Sequence, residues 1–326
     1  MAFVQGLLSG VTARGEPVDD YLADAGIPSE LLAEPGARVT AEQYVALFRS
    51  LNERRGDAML GFLSRPLRRG SFAMIVRAGV SAPSLDIALS RAANAFNVLQ
   101  DDLEVVPVRE GALTGGSLRF NDPSRPWPHF LHELMLRVFW RLLAWLAGGR
   151  LPAARFDFAF PAPSHASAYG VVFPASLTFD CRHSAFWFDA RRLQAPVRRD
   201  EAAVSRFLAH SQANVILPRP DGEAAVAARL RAMLQAAQPQ WPALTECARA
   251  LHLSSATLQR HLAREGLSFQ SLKDELRRDL AIQRLNTSRV PLTELASELG
   301  FADSASFQRA FKKWTGGAPG MYRRPK

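Results

Sequence analysis

Two arginines 49 positions apart, Arg260 and Arg309, occupy matching places in a repeated pattern, and their chemistry suits base recognition. A guanidinium offers a planar fork of donors that fits O6 and N7 of guanine, and the amides of the flanking Gln259 and Gln308 fit adenine in the same way. Ala256 and Thr257 in one copy, and Ser304, Ala305 and Ser306 in the other, are small enough to let a helix approach base edges. Arg264, Lys312 and Lys313 add positive charge on the same faces. These twelve residues form the candidate DNA-contacting set. A solvated surface accounts equally well for any one such helix. Two copies of one small/Gln/Arg arrangement are harder to explain that way.

Other chemistry-bearing residues are sparse. His129 and His132 stand at i, i+3 with Glu133 following, and Cys181 lies near His183. Either group could share a metal, but packing and a buried thiol explain them as simply, so no metal site is assigned. There is no Walker A loop, dinucleotide Gly-x-Gly-x-x-Gly, Gly-x-Ser-x-Gly elbow or His-Glu-x-x-His. Of the four lysines, three lie beyond position 300 and the other is Lys273, which excludes a lysine-based phosphate or Schiff-base site from the first two thirds. Arg77, Arg119, Arg155 and Arg182 fall on or near predicted strands and could hold an anionic effector, although surface arginines are the plainer reading. The sequence assigns no catalytic residue and no cofactor, and it locates no ligand pocket.

The elements that must position the two arginines repeat as well. Leu244–Leu251 matches Leu292–Leu299, and Leu258–Leu262 matches Phe307–Phe311 after one inserted residue. Each copy predicts a short helix, a turn and a second helix, giving helix-turn-helix units over 242–264 and 292–314. Leu258 and Leu262, like Phe307 and Phe311, face inward at helical spacing, opposite the candidate contacts. Gly300 suits a left-handed turn, and His252 takes the equivalent place in the first copy. Phe269–Asn286 reads as one connecting helix, about 27 Å long at 1.5 Å per residue. Recognition helices at its two ends could enter successive major grooves roughly 34 Å apart, so one chain could read a bipartite site.

Charge agrees with that placement. The 326 residues carry a formal +9, and residues 221–326 hold 16 Lys+Arg against 10 Asp+Glu. That is +6 in 106 residues, against +3 in the other 220, an excess that suits a polyanion. The 48% hydrophobic and 22% charged fractions are those of an ordinary globular chain. Two cysteines exclude a disulfide framework and a four-cysteine zinc site, which points to the cytoplasm. The N-terminus lacks the basic region of a secretory signal, and the longest apolar stretch, Phe130–Leu146, carries His132, Glu133, Arg137 and Arg141. A soluble protein without a membrane partner is expected. Glu133, Arg137 and Arg141 recur every four residues and predict a solvated or paired stripe.

Pro218, Pro220 and Gly222 punctuate the chain most clearly and divide it into an α+β domain, 1–216, and an all-α domain, 222–326. In the first, patterning predicts helices over Val18–Ala25, Ala41–Arg54 (with a Thr40/Gln43 capping box), Asp57–Leu63, Ser84–Leu99, Pro128–Ala147 and Glu201–Asn214. Strands are predicted over Phe72–Arg77, Leu103–Val108, Ala112–Phe120, Arg155–Phe160, Leu177–Asp180 and Ala185–Asp189, the last two joined by a turn at Arg182–Ser184. Strands mixed with helices and tight turns argue for α+β rather than a doubly wound sheet. A further helix is predicted over Ala224–Ala237.

The second domain resembles the DNA-binding domain of the AraC/XylS family of bacterial transcription regulators. The residues that carry the likeness are Leu253-Ser-Ser-Ala-Thr-Leu-Gln-Arg-His-Leu262, Gly266-Leu-Ser-Phe269, Leu295-Ala296, Leu299-Gly300-Phe301, Phe307-Gln-Arg-Ala-Phe-Lys-Lys-Trp314 and the closing Gly316–Arg323. The first domain resembles the non-cupin, arabinose-binding-like sensor of a subset of that family. Its matching features are Pro83-Ser-Leu-Asp-Ile-Ala88, Phe160-Pro-Ala-Pro163 with Tyr169, Phe173-Pro174, Leu177-Thr-Phe179 and Leu193–Pro196. Its helical opening departs from the jelly roll of sugar-binding relatives, so a sugar ligand is not implied. The resemblance implies binding of promoter DNA, control of RNA polymerase (usually activation), a small-molecule effector and a possible homodimer through the first domain. An enzyme is not implied. The alternative is a DNA-tethered enzyme or metal sensor with its chemistry in the first domain.

Overall fold

The computed structural model describes every residue except 35–36, 123, 150, 167–168, 210–225, 265–266 and 324–326. In chain order the first elements are α1 (Ala2–Thr12), α2 (Asp19–Asp24), α3 (Ala41–Arg55), α4 (Ser71–Val80), α5 (Leu85–Leu99), β1 (Leu103–Glu110) and β2 (Leu113–Phe120). Then come α6 (His129–Leu146), β3 (Arg155–Asp157), α7 (Tyr169–Val172), β4 (Ser176–Thr178), β5 (Ala185–Asp189), α8 (Ala190–Leu193) and α9 (Glu201–Ala209). The described remainder is helical: α10 (Val226–Ala236), α11 (Leu244–Ala250), α12 (Ser255–Arg264), α13 (Phe269–Thr287), α14 (Leu292–Glu298) and α15 (Ser304–Thr315). The fold is therefore α+β followed by all-α, as expected from the sequence. No helix among the described residues is long and apolar enough to cross a membrane.

The residues form two compact units. The larger comprises Ala2–Val18 and Leu47–Asp221 and is built on a five-stranded sheet of order β1-β2-β5-β3-β4. All its pairings are antiparallel except β3 with β4. The turn expected at Arg182–Ser184 does not make a hairpin, because β3 lies between β4 and β5. Phe156, Phe158 and Phe160 are all buried, as their alternation predicts, although strand pairing stops at Asp157. Helix α6 packs on α5, β2 and β5, burying apolar residues around much of its circumference.

Two expected elements have a different form. Phe72–Arg77 is not a strand but part of α4, which buries Ser71, Ile75, Val76 and Gly79 at helical spacing against α5. Tertiary packing outweighs the β preference of Ile75-Val76. Asp57–Leu63 is not a helix. The buried Asp57 carboxylate accepts the N–H groups of Met59, Gly61 and Leu67 at 2.8–2.9 Å, and this curls the segment into a loop. The charged stripe on α6 is paired at its first member: Glu133 is buried and accepts the Tyr169 hydroxyl. Helix α1 was not foreseen. The capping box is present, with Thr40 N–H donating to Gln43 Oε1 and Gln43 N–H to Thr40 Oγ1, each at 3.0 Å.

The second unit comprises Met1, Asp19–Ala46 and Gly222–Lys326. It has two small cores. One gathers Leu230, Leu234, Cys247, Leu258, Leu262 and Leu272; the other gathers Ile282, Leu285, Leu295, Phe307, Phe311 and Tyr322. Helix α13 serves both, through Leu272 and Leu276 near its start and Ile282 and Leu285 near its end. Trp241 touches both clusters. Leu31 and Ala37 are buried in the second core, and the Arg38 N–H donates to the Tyr322 hydroxyl at 3.1 Å. A segment near the start of the chain, read from sequence as part of the first domain, thus completes the packing around the second helix-turn-helix. The punctuation at 217–222, the first two residues of the helix expected at Ala224 and residues 210–214 lie outside the described residues.

Candidate nucleic-acid interface

Each helix-turn-helix turn depends on one left-handed residue, His252 at φ 57° and Gly300 at φ 72°. At the second turn a larger residue would also be crowded. A Cβ there would lie 3.0 Å from Trp241 Cδ1 and 3.1 Å from Arg277 Nη2. The helices that follow are capped at equivalent positions. Ser254 Oγ accepts the Thr257 N–H at 3.1 Å, and Asp303 Oδ1 accepts the Ser306 N–H at 2.7 Å. The Ser306 backbone and hydroxyl hold the Asp303 carboxyl below the usual carboxylate range. Sequence reasoning missed both caps. The spacings Ser254-x-x-Thr257 and Asp303-x-x-Ser306 were the signal available for them.

From the caps outward the two helices repeat one arrangement. The eight residues from Ser255 to Leu262 and from Ser304 to Phe311 have the same sequence of exposed, half-buried and buried positions. Leu258, Leu262, Phe307 and Phe311 are fully buried. Ala256, Gln259 and Arg260 are exposed in the first copy, and Ala305, Gln308 and Arg309 in the second, with Thr257, Ser304 and Ser306 half-buried. Arg260 Nη2 donates to Thr257 Oγ1 at 3.3 Å, and Arg309 Nη2 to Ser306 Oγ at 3.0 Å. Cap, hydroxyl and guanidinium thus form the same chain twice. Gln308 Nε2 also donates to Ser304 Oγ at 3.1 Å. Lys312 and Lys313 are exposed; the side chain of Arg264 lies outside the described residues.

Lys273, Arg277, Arg284 and Arg231 of this unit are half-buried and have partners of other kinds. Lys273 Nζ donates to the Trp241 carbonyl at 3.0 Å, and burial pushes its pKa down. Arg277 lies 5.1 Å from the ring centres of both Trp241 and Phe301, and it too is lowered by burial. Arg284 grips Glu298 with two nitrogens, and Arg231 pairs with Glu275 at 2.8 Å. Arg260 and Arg309 differ from these four in that the side-chain hydrogen bond of each goes to a hydroxyl three residues back on its own helix.

The remaining candidates have other partners. His129 stacks on Phe160 at 4.1 Å, and His132 Nδ1 lies 2.8 Å from Ser184 Oγ. Ser184 Oγ also accepts the Ala159 N–H at 2.8 Å, so the hydroxyl joins the histidine to the backbone. Burial, aided by the charge of His129, lowers His132 to about 4. Burial raises both Glu133 and Tyr169. No three His, Cys, Asp or Glu side chains among the described residues converge in a way that could hold a metal. The Cys181 thiol is half-buried rather than buried, and it faces the carbonyls of Thr178 and Phe179. Arg77 pairs with Glu201, and Arg155 with Glu110 and Asp157.

Comparison with known proteins covers both units. Residues 15–197 match the family model described as the arabinose-binding domain of AraC transcription regulator, N-terminal, and residues 247–325 match a helix-turn-helix domain. The ornithine utilization regulator of Pseudomonas aeruginosa is 29% identical over 324 residues, 99% of this chain and 95% of that one. The transcriptional regulator VqsM of the same species is 26% identical over 204 residues, 60% of each chain. Among solved structures, the transcriptional regulator CdpR of P. aeruginosa aligns over 95% of this chain and 97% of its own, with 24% identity and a TM-score of 0.36. The two relatives matched by sequence are regulators and give no support to a DNA-tethered enzyme. With the sensor model alone spanning more than half of the sequence and the duplicated helix-turn-helix following it, the chain belongs to the AraC family of transcription regulators.

Proposed function

We propose that the protein reads a bipartite promoter site, with α12 and α15 in successive major grooves on one face of the duplex. Arg260 and Arg309 would contact guanines and Gln259 and Gln308 adenines. Ala256, Thr257, Ser304, Ala305 and Ser306 would allow close approach, and Arg264, Lys312 and Lys313 would supply charge for phosphates. The observation that carries this reading is the duplicated chain of cap, hydroxyl and exposed arginine. The 19 residues of α13 span about 28 Å at 1.5 Å each, near the 34 Å of one duplex turn.

The division of labour we infer is a sensing and dimerising domain over 1–216 and a DNA-binding domain over 222–326. Residues 19–46 belong to the first in sequence and lend Leu31 and Ala37 to the core of the second. A small-molecule effector biases promoter occupancy or contact with RNA polymerase, and activation is the direction that the family resemblance implies. Base-methylation interference on a genome-mapped site tests the reading. Two clusters of major-groove guanines about ten base pairs apart on one face are expected. A single cluster would show that only one helix reads bases and would overturn the bipartite model.

A further inference from the structure

The larger unit contains a cavity of about 300 Å³ among α3, α4, α5 and α6. Phe48, Phe96, Phe139, Met59, Met135 and Ile75 contribute apolar walls. At about 30 Å³ per water-sized atom, the space holds roughly ten non-hydrogen atoms. Its polar groups are few and of one kind. Arg68 and Arg69 stand exposed among the lining residues, and neither guanidinium has an ion-pair or hydrogen-bond partner among the described residues. The half-buried Asn52 also contributes to the wall and has no partner among them. No aspartate or glutamate is part of the lining.

The backbone at the same place adds to this electropositive character. Helix α4 begins beside the two arginines. Its cap is Gly70, at φ 93°, which has no side chain to offer the first turn, so no cap takes the N–H groups of Phe72 and Ala73. Arg77 and Arg155 of the same unit, by contrast, are matched, the first by Glu201 and the second by Glu110 and Asp157. Two unmatched guanidiniums, a free amide and an uncapped helix start around an apolar space favour a negative head on an apolar body. An ammonium group would meet two positive charges and no carboxylate there, so an amino acid is disfavoured as strongly as an acid is favoured.

We propose that this cavity is the effector site and takes an organic acid with a compact apolar body of about ten non-hydrogen atoms and no ammonium group. The proposal rests on the reading of the first domain as a sensor and gives that sensor its ligand class. Arg68 and Arg69 supply the carboxylate contacts, Asn52 a neutral hydrogen bond, and the phenylalanines and methionines the apolar fit.

The test is calorimetric titration of the full chain with 3-phenylpropanoate and octanoate. Two analogues serve as controls: 3-phenylpropan-1-ol, which lacks the charge, and L-phenylalanine, which adds the ammonium. Both acids should bind with at least tenfold higher affinity than either control. The double variant Arg68→Gln/Arg69→Gln should lose at least tenfold for the acids while its weak affinity for the alcohol persists, which shows that the cavity is still folded. Ala73→Phe, which fills the space from α4, should abolish binding of acid and alcohol alike. Acid and alcohol binding equally, acid affinity unchanged by Ala73→Phe, or no acid binding at millimolar concentration would each overturn the assignment. Repeating the titration with mapped promoter DNA separates this claim from the one beneath it. Acids that occupy the cavity without altering DNA affinity would leave the site standing and remove occupancy control. DNA binding that persists in a protein taking no acid would do the reverse.

Discussion

Replacing Arg260 and Arg309 by alanine, singly and together, probes the duplicated interface where its chemistry is most specific. Both guanidiniums are exposed, and each has one side-chain hydrogen bond, to a hydroxyl three residues back at 3.3 or 3.0 Å. Removing such a bond strands no buried group, so fold stability should change by no more than about 0.5 kcal/mol. On the mapped site, a lost bidentate guanine contact costs about 1–3 kcal/mol, roughly 5- to 150-fold in Kd. The two helices pack on separate cores, so the losses should add, giving about 2–6 kcal/mol for the double variant. Fluorescence anisotropy with the mapped duplex and a scrambled one, each at several salt concentrations, supplies the readout. A base contact predicts a large loss on the mapped duplex, a small one on the scrambled duplex and an unchanged salt dependence. Equal losses on both duplexes, with the logarithmic salt slope reduced by about one, would make these arginines phosphate contacts and refute the reasoning.

Two further outcomes follow from the turns and the buried histidine. Gly300→Ala should cost about 1–2 kcal/mol, because it forces a left-handed alanine against Trp241 and Arg277, whereas His252→Gly should gain up to about 1 kcal/mol at the matching turn. Denaturant unfolding measures both, and a Gly300→Ala protein as stable as the parent would contradict the steric argument. His132 titrates near 4 when folded against 6.5 unfolded, so its contribution is complete above pH 6.5 and is lost as pH falls toward 4, by up to about 3 kcal/mol. Glu133, raised by burial, works in the opposite sense, because its folded form is favoured once protonated. The difference between parent and His132→Asn across that window therefore isolates the histidine. An unchanged slope in the variant would show that His132 is not held neutral.

What the sequence disclosed depended on how local the cause was. The recognition helices were legible because the apolar spacing and the left-handed turn of each copy lie within one unit of 23 residues, and the second unit repeats the first. Helix α4 was misread because Ile75-Val76 favours a strand, and only the distant surface of α5 makes the helical face worth burying. The loop at Asp57–Leu63 is set by one carboxylate reaching Leu67, a bond invisible to periodicity. Glu133 reads as one charge of a surface stripe until Tyr169, 36 residues later, closes over it. The cavity was the least legible feature, since Asn52, Arg68, Phe96 and Phe139 come from four stretches of chain that share no motif.

The burial of Leu31 and Ala37 beside Tyr322 also sets an order of events during synthesis. The ribosome makes Leu31 some 290 residues before its partner, roughly 15–60 s at about 5–20 residues per second. Through that interval the early segment has no core to enter, and the second helix-turn-helix cannot finish packing until Tyr322 emerges. The reading head is thus closed by segments some 290 residues apart in sequence. A nascent or truncated chain stopping short of Tyr322 would keep the sensor's sheet but leave the second recognition helix without part of its core. The same closure limits how these regulators can recombine. A foreign DNA-binding half joined after residue 221 would bring its own Tyr322 counterpart against a Leu31 that had not evolved to meet it, so functional chimeras should require exchange of residues 19–46 together with the C-terminal half.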